Sequence, residues 1–145
     1  MTGPSAKPKI EIRDLTMAFG SFVVMRDINV DIQPAEIFII MGGSGCGKST
    51  LLRHMIGLKA PAQGEIFYDG ESFWRATEER RREQLRAFGV LFQSGALWSS
   101  MTLAENVSLP LAEYTDLAAA DIRDIARLKL ALVGLKGFED YYPAE

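Results

Sequence analysis

Cysteine and histidine are nearly missing from this chain: Cys46 and His54 are the only ones of their kind. A single cysteine excludes an internal disulfide and suits a reducing cytosol. A single histidine without Cys or His neighbours at ligand spacing does not suggest a metal site, and packing or solvent exposure is its expected role. No apolar run approaches the roughly 18 residues that cross a bilayer, and Met1 to Lys9 lacks the apolar segment of a signal peptide. Any membrane role is therefore expected through a partner. Positive charge is not in excess either, with 16 Lys and Arg against 19 Asp and Glu, a net charge of -3. Bulk electrostatics gives no reason to expect a nucleic-acid binder. What remains, 145 residues of which 48% are hydrophobic and 24% charged, is the profile of one globular domain able to bury a core.

Glycine is present where it carries chemistry. Gly42-Gly43-Ser44-Gly45-Cys46-Gly47-Lys48-Ser49-Thr50 satisfies the phosphate-binding pattern of Gly, any four residues, Gly-Lys-Ser. Its glycines let consecutive backbone N–H groups turn inward as an anion nest. Lys48 would place an ammonium on the β and γ phosphates of ATP, and the Ser49 hydroxyl would complete the shell of a phosphate-bound Mg²⁺. The helix expected from Ser49 to Ile56, with Gly57 as its C′ residue, aims its positive end at the same anion. Ile37 to Met41 is an unbroken apolar run and reads as a central parallel strand buried on both faces.

In chain order, residues 2–9 read as a loose tail and the fold starts near Ile10. Ile10 and Ile12, then Ile28, Val30 and Ile32, alternate as half-buried antiparallel strands with a turn at Gly20-Ser21. After a loop at Pro61 to Gly64 come a short strand from Glu65 to Tyr68 and a tight turn at Asp69-Gly70. Thr77 caps a helix in which Glu78 pairs with Arg82. From Glu71 to Arg86 there are five Arg against four Glu, so the basic cluster reads as a solvated helical face. Val90 to Phe92 reads as a short strand ending at Gln93, where α/β folds place ligand contacts. Thr102 to Glu105 fits a capping box for a helix that Pro110 kinks or ends. A last helix from Asp116 to Val133 carries Ile122, Ile125, Leu128, Leu132 and Leu135 as its apolar stripe and stops at Gly134.

Together these residues resemble the ATP-binding cassette ATPases that drive ABC transporters. Gly42 to Thr50 matches the Walker A loop, Val90 to Gln93 looks like the Q-loop, and Met17 to Gly20 sits where the family places its adenine-stacking aromatic. The resemblance implies a P-loop NTPase of α/β class: a RecA-like core with an antiparallel β subdomain over residues 10–93, then the start of a helical subdomain over 94–145. It implies that Phe19 stacks on adenine and that Gln93 contacts Mg²⁺ and the attacking water. It also implies two partners, a membrane-embedded permease near Gln93 and a second ATPase subunit, and a cytoplasmic place on the inner membrane. Phe92 to Val107 is similar to the cassette of Mla-type phospholipid transporters, which points to lipid as cargo. The Leu-Ser-Gly-Gly signature, an apolar strand ending in Asp-Glu and the switch histidine do not occur here. The expectation is therefore a truncated cassette with little turnover of its own and a sheet edge open to dimerisation or swapping. Two rival readings are a non-hydrolysing nucleotide-binding module and another P-loop phosphotransferase.

Overall fold

A computed structural model of the protein describes residues 7–145. They form two compact units, one ending at Val90 and one spanning Leu91–Glu145. Of the expected loose tail, residues 1–6 lie outside the described residues. Lys9 is tied down instead. Its N–H donates to the Ile32 carbonyl at 2.7 Å, its carbonyl accepts from the Asp69 N–H at 3.0 Å, and its ammonium pairs with the Asp69 carboxylate at 2.7 Å.

The first unit is built on a four-stranded antiparallel sheet of order β2-β1-β3-β4, with β1 Ile10–Phe19, β2 Phe22–Ile32, β3 Gln63–Tyr68 and β4 Glu71–Ser72. The alternation in the sequence sets the register: Ile10 faces Ile32 and Ile12 faces Val30 across β1 and β2, while Ile12 faces Ile66 across β1 and β3. Helix α1, Lys48–Met55, buries Leu51, His54 and Met55, the one face that a 3-4 spacing can offer. Leu51 and Met55 join Ile12, Leu15, Met17, Ile66, Tyr68 and Phe73 in the core, and the buried Tyr68 hydroxyl donates to the Met55 carbonyl. Gly57 ends the helix as expected. At φ 76° it donates to the His54 carbonyl, and the Leu58 N–H reaches back to the Arg53 carbonyl at 2.9 Å, a Schellman closure. Thr77 caps α2, Glu78–Arg86, through an Arg80 N–H to Thr77 Oγ1 bond of 3.3 Å, and Glu78 pairs with Arg82 at 2.5 Å.

Two expected strands do not form. Ile37 to Met41 has no ladder partner among the described residues, and its side chains face solvent, Ile37 at 89% and Met41 at 85% exposure. Val90 to Phe92 likewise makes only an isolated bridge, Phe92 to Gly95. An apolar run has the side chains for a two-faced strand, but a parallel strand exists only where neighbours accept from its N–H groups and donate to its C=O groups. The antiparallel layer, by contrast, is closed by hairpins and local returns within the first unit.

Ala35, in the loop after β2, has φ 61°. An L residue there costs about 1–2 kcal/mol, of which glycine gives back part in unfolded-state entropy. Ala35→Gly should therefore raise stability by about 0.5–1 kcal/mol, read as a shift in denaturant midpoint at unchanged slope; a loss of stability would contradict the left-handed assignment.

In the second unit, α3 Leu103–Tyr114 packs with α4 Ala119–Leu132. The capping box is complete: Thr102 Oγ1 accepts from the Glu105 N–H at 3.2 Å and Glu105 accepts from the Thr102 N–H at 2.8 Å. Pro110 does not end α3, which runs on to Tyr114. The stripe on α4 also differs from expectation. Ile122, Ala126 and Leu130 are buried, whereas Leu128 and Leu132 are exposed at 58% and 71%. With apolar residues on more than one face, periodicity could not choose which face packs on α3.

Candidate nucleotide-binding site

The loop 42–47 leads directly into α1, so the fold places Lys48, Ser49 and Thr50 in the first turn of a helix whose Leu51, His54 and Met55 are anchored in the core. Its N-cap is Gly47, with no side chain to occupy the N-terminal N–H groups and no acidic residue in the first turn. Orphan donors and the positive end of the helix dipole thus face one point. Gly47 cannot be replaced cheaply: φ is 98°, and a Cβ there would lie 2.9 Å from Val24 Cγ1 and 3.4 Å from Met25 Sδ. On the other side of the loop, Gly43 and Gly45 have no heavy atom within 4 Å of where a Cβ would stand, which leaves the backbone accessible to a large anion. Lys48 lies across the loop, its ammonium donating to the carbonyls of Gly42 at 2.7 Å and Gly43 at 2.6 Å, with the exposed Cys46 Sγ at 3.6 Å. A cation at the loop, uncapped N–H groups and a glycine concavity fit a polyphosphate.

The residues present also fit a phosphate-bound Mg²⁺ better than a protein-caged metal. Among the described residues no group of three His, Cys, Asp or Glu could hold a metal ion. The exposed Ser49 hydroxyl is a single hard oxygen donor, of the kind that completes a shell made mostly of phosphate and water.

Phe19, expected as an adenine-stacking residue, stands at the end of β1 with 49% of its surface exposed. The Lys59 ammonium lies 3.0 Å from its ring centroid. His54 is fully buried; its Nδ1–H donates to the Lys59 carbonyl at 2.6 Å, and burial holds its pKa below the ordinary value. The carbonyl can only accept, which places the proton on Nδ1. Gln93 belongs to the second unit, where it sits in the turn between Phe92 and Gly95 and not at a strand end. Sequence reasoning passed over Asn106, which organises the segment after that turn. Its Nδ2 reaches the carbonyls of Trp98, Met101 and Thr102 at 3.0 to 3.1 Å, and its Oδ1 accepts from the Trp98 N–H at 2.8 Å. An Asn four residues beyond a capping Thr was the only available signal.

A family model described as ABC transporter matches residues 25–143. Among curated proteins, the chain is 43% identical over 136 residues to the probable ribonucleotide transport ATP-binding protein mkl of Mycobacterium leprae, covering 94% of this chain and 39% of that one. It is 39% identical over 136 residues to the intermembrane phospholipid transport system ATP-binding protein MlaF of Haemophilus influenzae, covering 94% and 52%. Among solved structures, the dimeric post-hydrolysis state of the ATP-binding cassette MJ0796 bound to ADP and Pi superposes with a TM-score of 0.82 at 26% identity, over 93% of this chain and 62% of that one. The chain thus spans about 40 to 60% of the length of these proteins.

Proposed function

This chain belongs to the ABC transporter family and has its P-loop NTPase fold, and from that premise we propose that it binds Mg-ATP for a transporter that moves phospholipid through membrane-embedded partner subunits. The observation that carries the reading is the glycine loop opening onto an uncapped helix N-terminus, with the Lys48 ammonium across its mouth. The loop N–H groups and Lys48 would hold the phosphates and stabilise charge that develops on the transferred phosphoryl group. Mg²⁺, when bound with the nucleotide, would neutralise phosphate charge, and the Ser49 hydroxyl would hold it. Ser44, Cys46 and Thr50 would line the same phosphate site, and Phe19 would take the adenine. Support for lipid as cargo comes from the MlaF relative and from the Phe92 to Val107 stretch that Asn106 organises. Dimerisation of the cassette, as in MJ0796, and docking of a permease near Gln93 complete the proposal. The chain by itself is proposed to turn over little, since it contains neither a Leu-Ser-Gly-Gly signature nor an apolar strand ending in Asp-Glu.

The mkl relative favours a ribonucleotide cargo as the second reading. Transport separates the two. In proteoliposomes carrying the whole cassette protein with its membrane subunits, phospholipid movement should require Mg-ATP and be lost in Lys48→Ala. ATP-driven uptake of ribonucleotides with no lipid movement would overturn the lipid reading.

A further inference from the structure

Lys59 lies in the turn after α1 and is 40 residues from Phe19 in sequence, yet its ammonium is held on that ring's face, 3.0 Å from the centroid. The same ammonium donates to the Ala18 carbonyl at 2.7 Å, so the cation is gripped by the ring and by the residue just before it. The other end of Lys59 is fixed as well. Its carbonyl accepts from the buried His54 Nδ1–H at 2.6 Å, and its N–H donates to the Arg53 carbonyl at 3.2 Å. Arg53 and His54 are the last-turn residues of α1, the helix that begins at Lys48. A helix of eight residues, about 12 Å long, therefore joins the loop that fits a polyphosphate to the cation that fixes an aromatic ring.

We infer that Lys59 is a positioning residue for the nucleotide base, pinning the Phe19 ring by one face so that the other face receives a purine. The inference rests on the reading of loop 42–47 and Phe19 as one ATP site. Two physical effects favour it. Phe19 is 49% exposed, and a half-exposed ring at a strand end would otherwise lose rotamer freedom on stacking; Lys59 removes that freedom beforehand. The cation also draws π density toward its own side. The opposite face becomes less negative and so a better match for the electron-rich face of a purine in an offset stack.

The test is calorimetric titration of the chain and its variants with Mg-ATP and, separately, with Mg-tripolyphosphate, which carries the phosphates and no base. Lys59→Met should weaken Mg-ATP by roughly fivefold and leave tripolyphosphate unchanged. Lys59→Arg, which keeps a cation over the ring, should restore ATP affinity. In a Phe19→Leu background, Lys59→Met should have no further effect. Equal losses on both ligands would mean that Lys59 supports only the fold, and an unchanged ATP affinity in Lys59→Met while Phe19→Leu weakens ATP would mean that the ring is held by other groups. Either result overturns the inference while leaving the ATP site standing. If Phe19→Leu binds ATP normally, or the unmodified chain binds neither ligand, the underlying reading of the site fails and the inference falls with it.

Discussion

Lys48→Ala lowers Mg-ATP affinity by about 3 kcal/mol, roughly a hundredfold, if loop 42–47 is the phosphate site. The ammonium is the only cationic group among residues 42–50, and it already lies within 2.7 Å of the loop's own carbonyls, so it can reach an anion seated in the loop without rearranging the helix. A hydrogen bond between charged partners is stronger than a neutral one and is lost entirely in alanine. The substitution also removes two bonds that hold the loop to itself, but these are exposed and contribute little to folding. Affinity and stability should therefore separate: calorimetry shows the large loss while the denaturant midpoint shifts only slightly. A variant that binds Mg-ATP as well as the parent chain would remove Lys48 from the site. A large drop in stability would make the binding loss uninterpretable as a phosphate contact and would show that Lys48 organises the loop instead.

Gly64→Ala has the largest expected effect on stability, a loss of about 3–5 kcal/mol. Gly64 has φ 84°, and a Cβ there would lie 2.4 Å from the Asp14 carbonyl oxygen and 2.5 Å from that of Arg13. Both obstacles are backbone, so no side chain can swing aside. The site is where β1 and β3 change register, between the Arg13–Glu65 and Thr16–Gln63 pairs, and where Asp14 itself takes φ 47°. A methyl group must therefore push β1 off β3 at the middle of the only sheet among the described residues. Set against a total stability of about 5–15 kcal/mol, the variant should be largely unfolded or show a denaturant midpoint lowered by a large fraction. Gly89→Ala is the control, because nothing lies within 4 Å of its Cβ position. If both variants are equally mild, the bulge can relax and the close approach carries no cost.

Legibility from sequence followed the range of the interaction. Gly57 and Gly134 ending helices, Thr77 and Thr102 capping them, and the turn at Asp69-Gly70 each involve partners within a few residues, and each lies where local chemistry puts it. The alternation of Ile10, Ile12, Ile28, Val30 and Ile32 sufficed for the hairpin because its turn brings the two strands together. Local reasoning failed where a distant neighbour decides. Ile37 to Met41 has every property of a buried strand except a partner, and the same holds for Val90 to Phe92. On α4, Leu128 and Ile122 are equally apolar, and only the position of α3 selects Ile122 for burial.

The sequence by itself determined the family and the α/β class and marked loop 42–47 as the candidate phosphate site, because a glycine pattern followed by Lys-Ser at a helix start is a short-range arrangement legible within nine residues. Only the tertiary structure decided the long-range contacts of the first unit: that His54 is buried and fixes Lys59, that Lys59 covers one face of Phe19 across 40 residues of sequence, and that Gly64 is wedged against the backbone of β1. These depend on distances between segments remote in the chain, which side-chain identity and spacing do not encode one residue at a time.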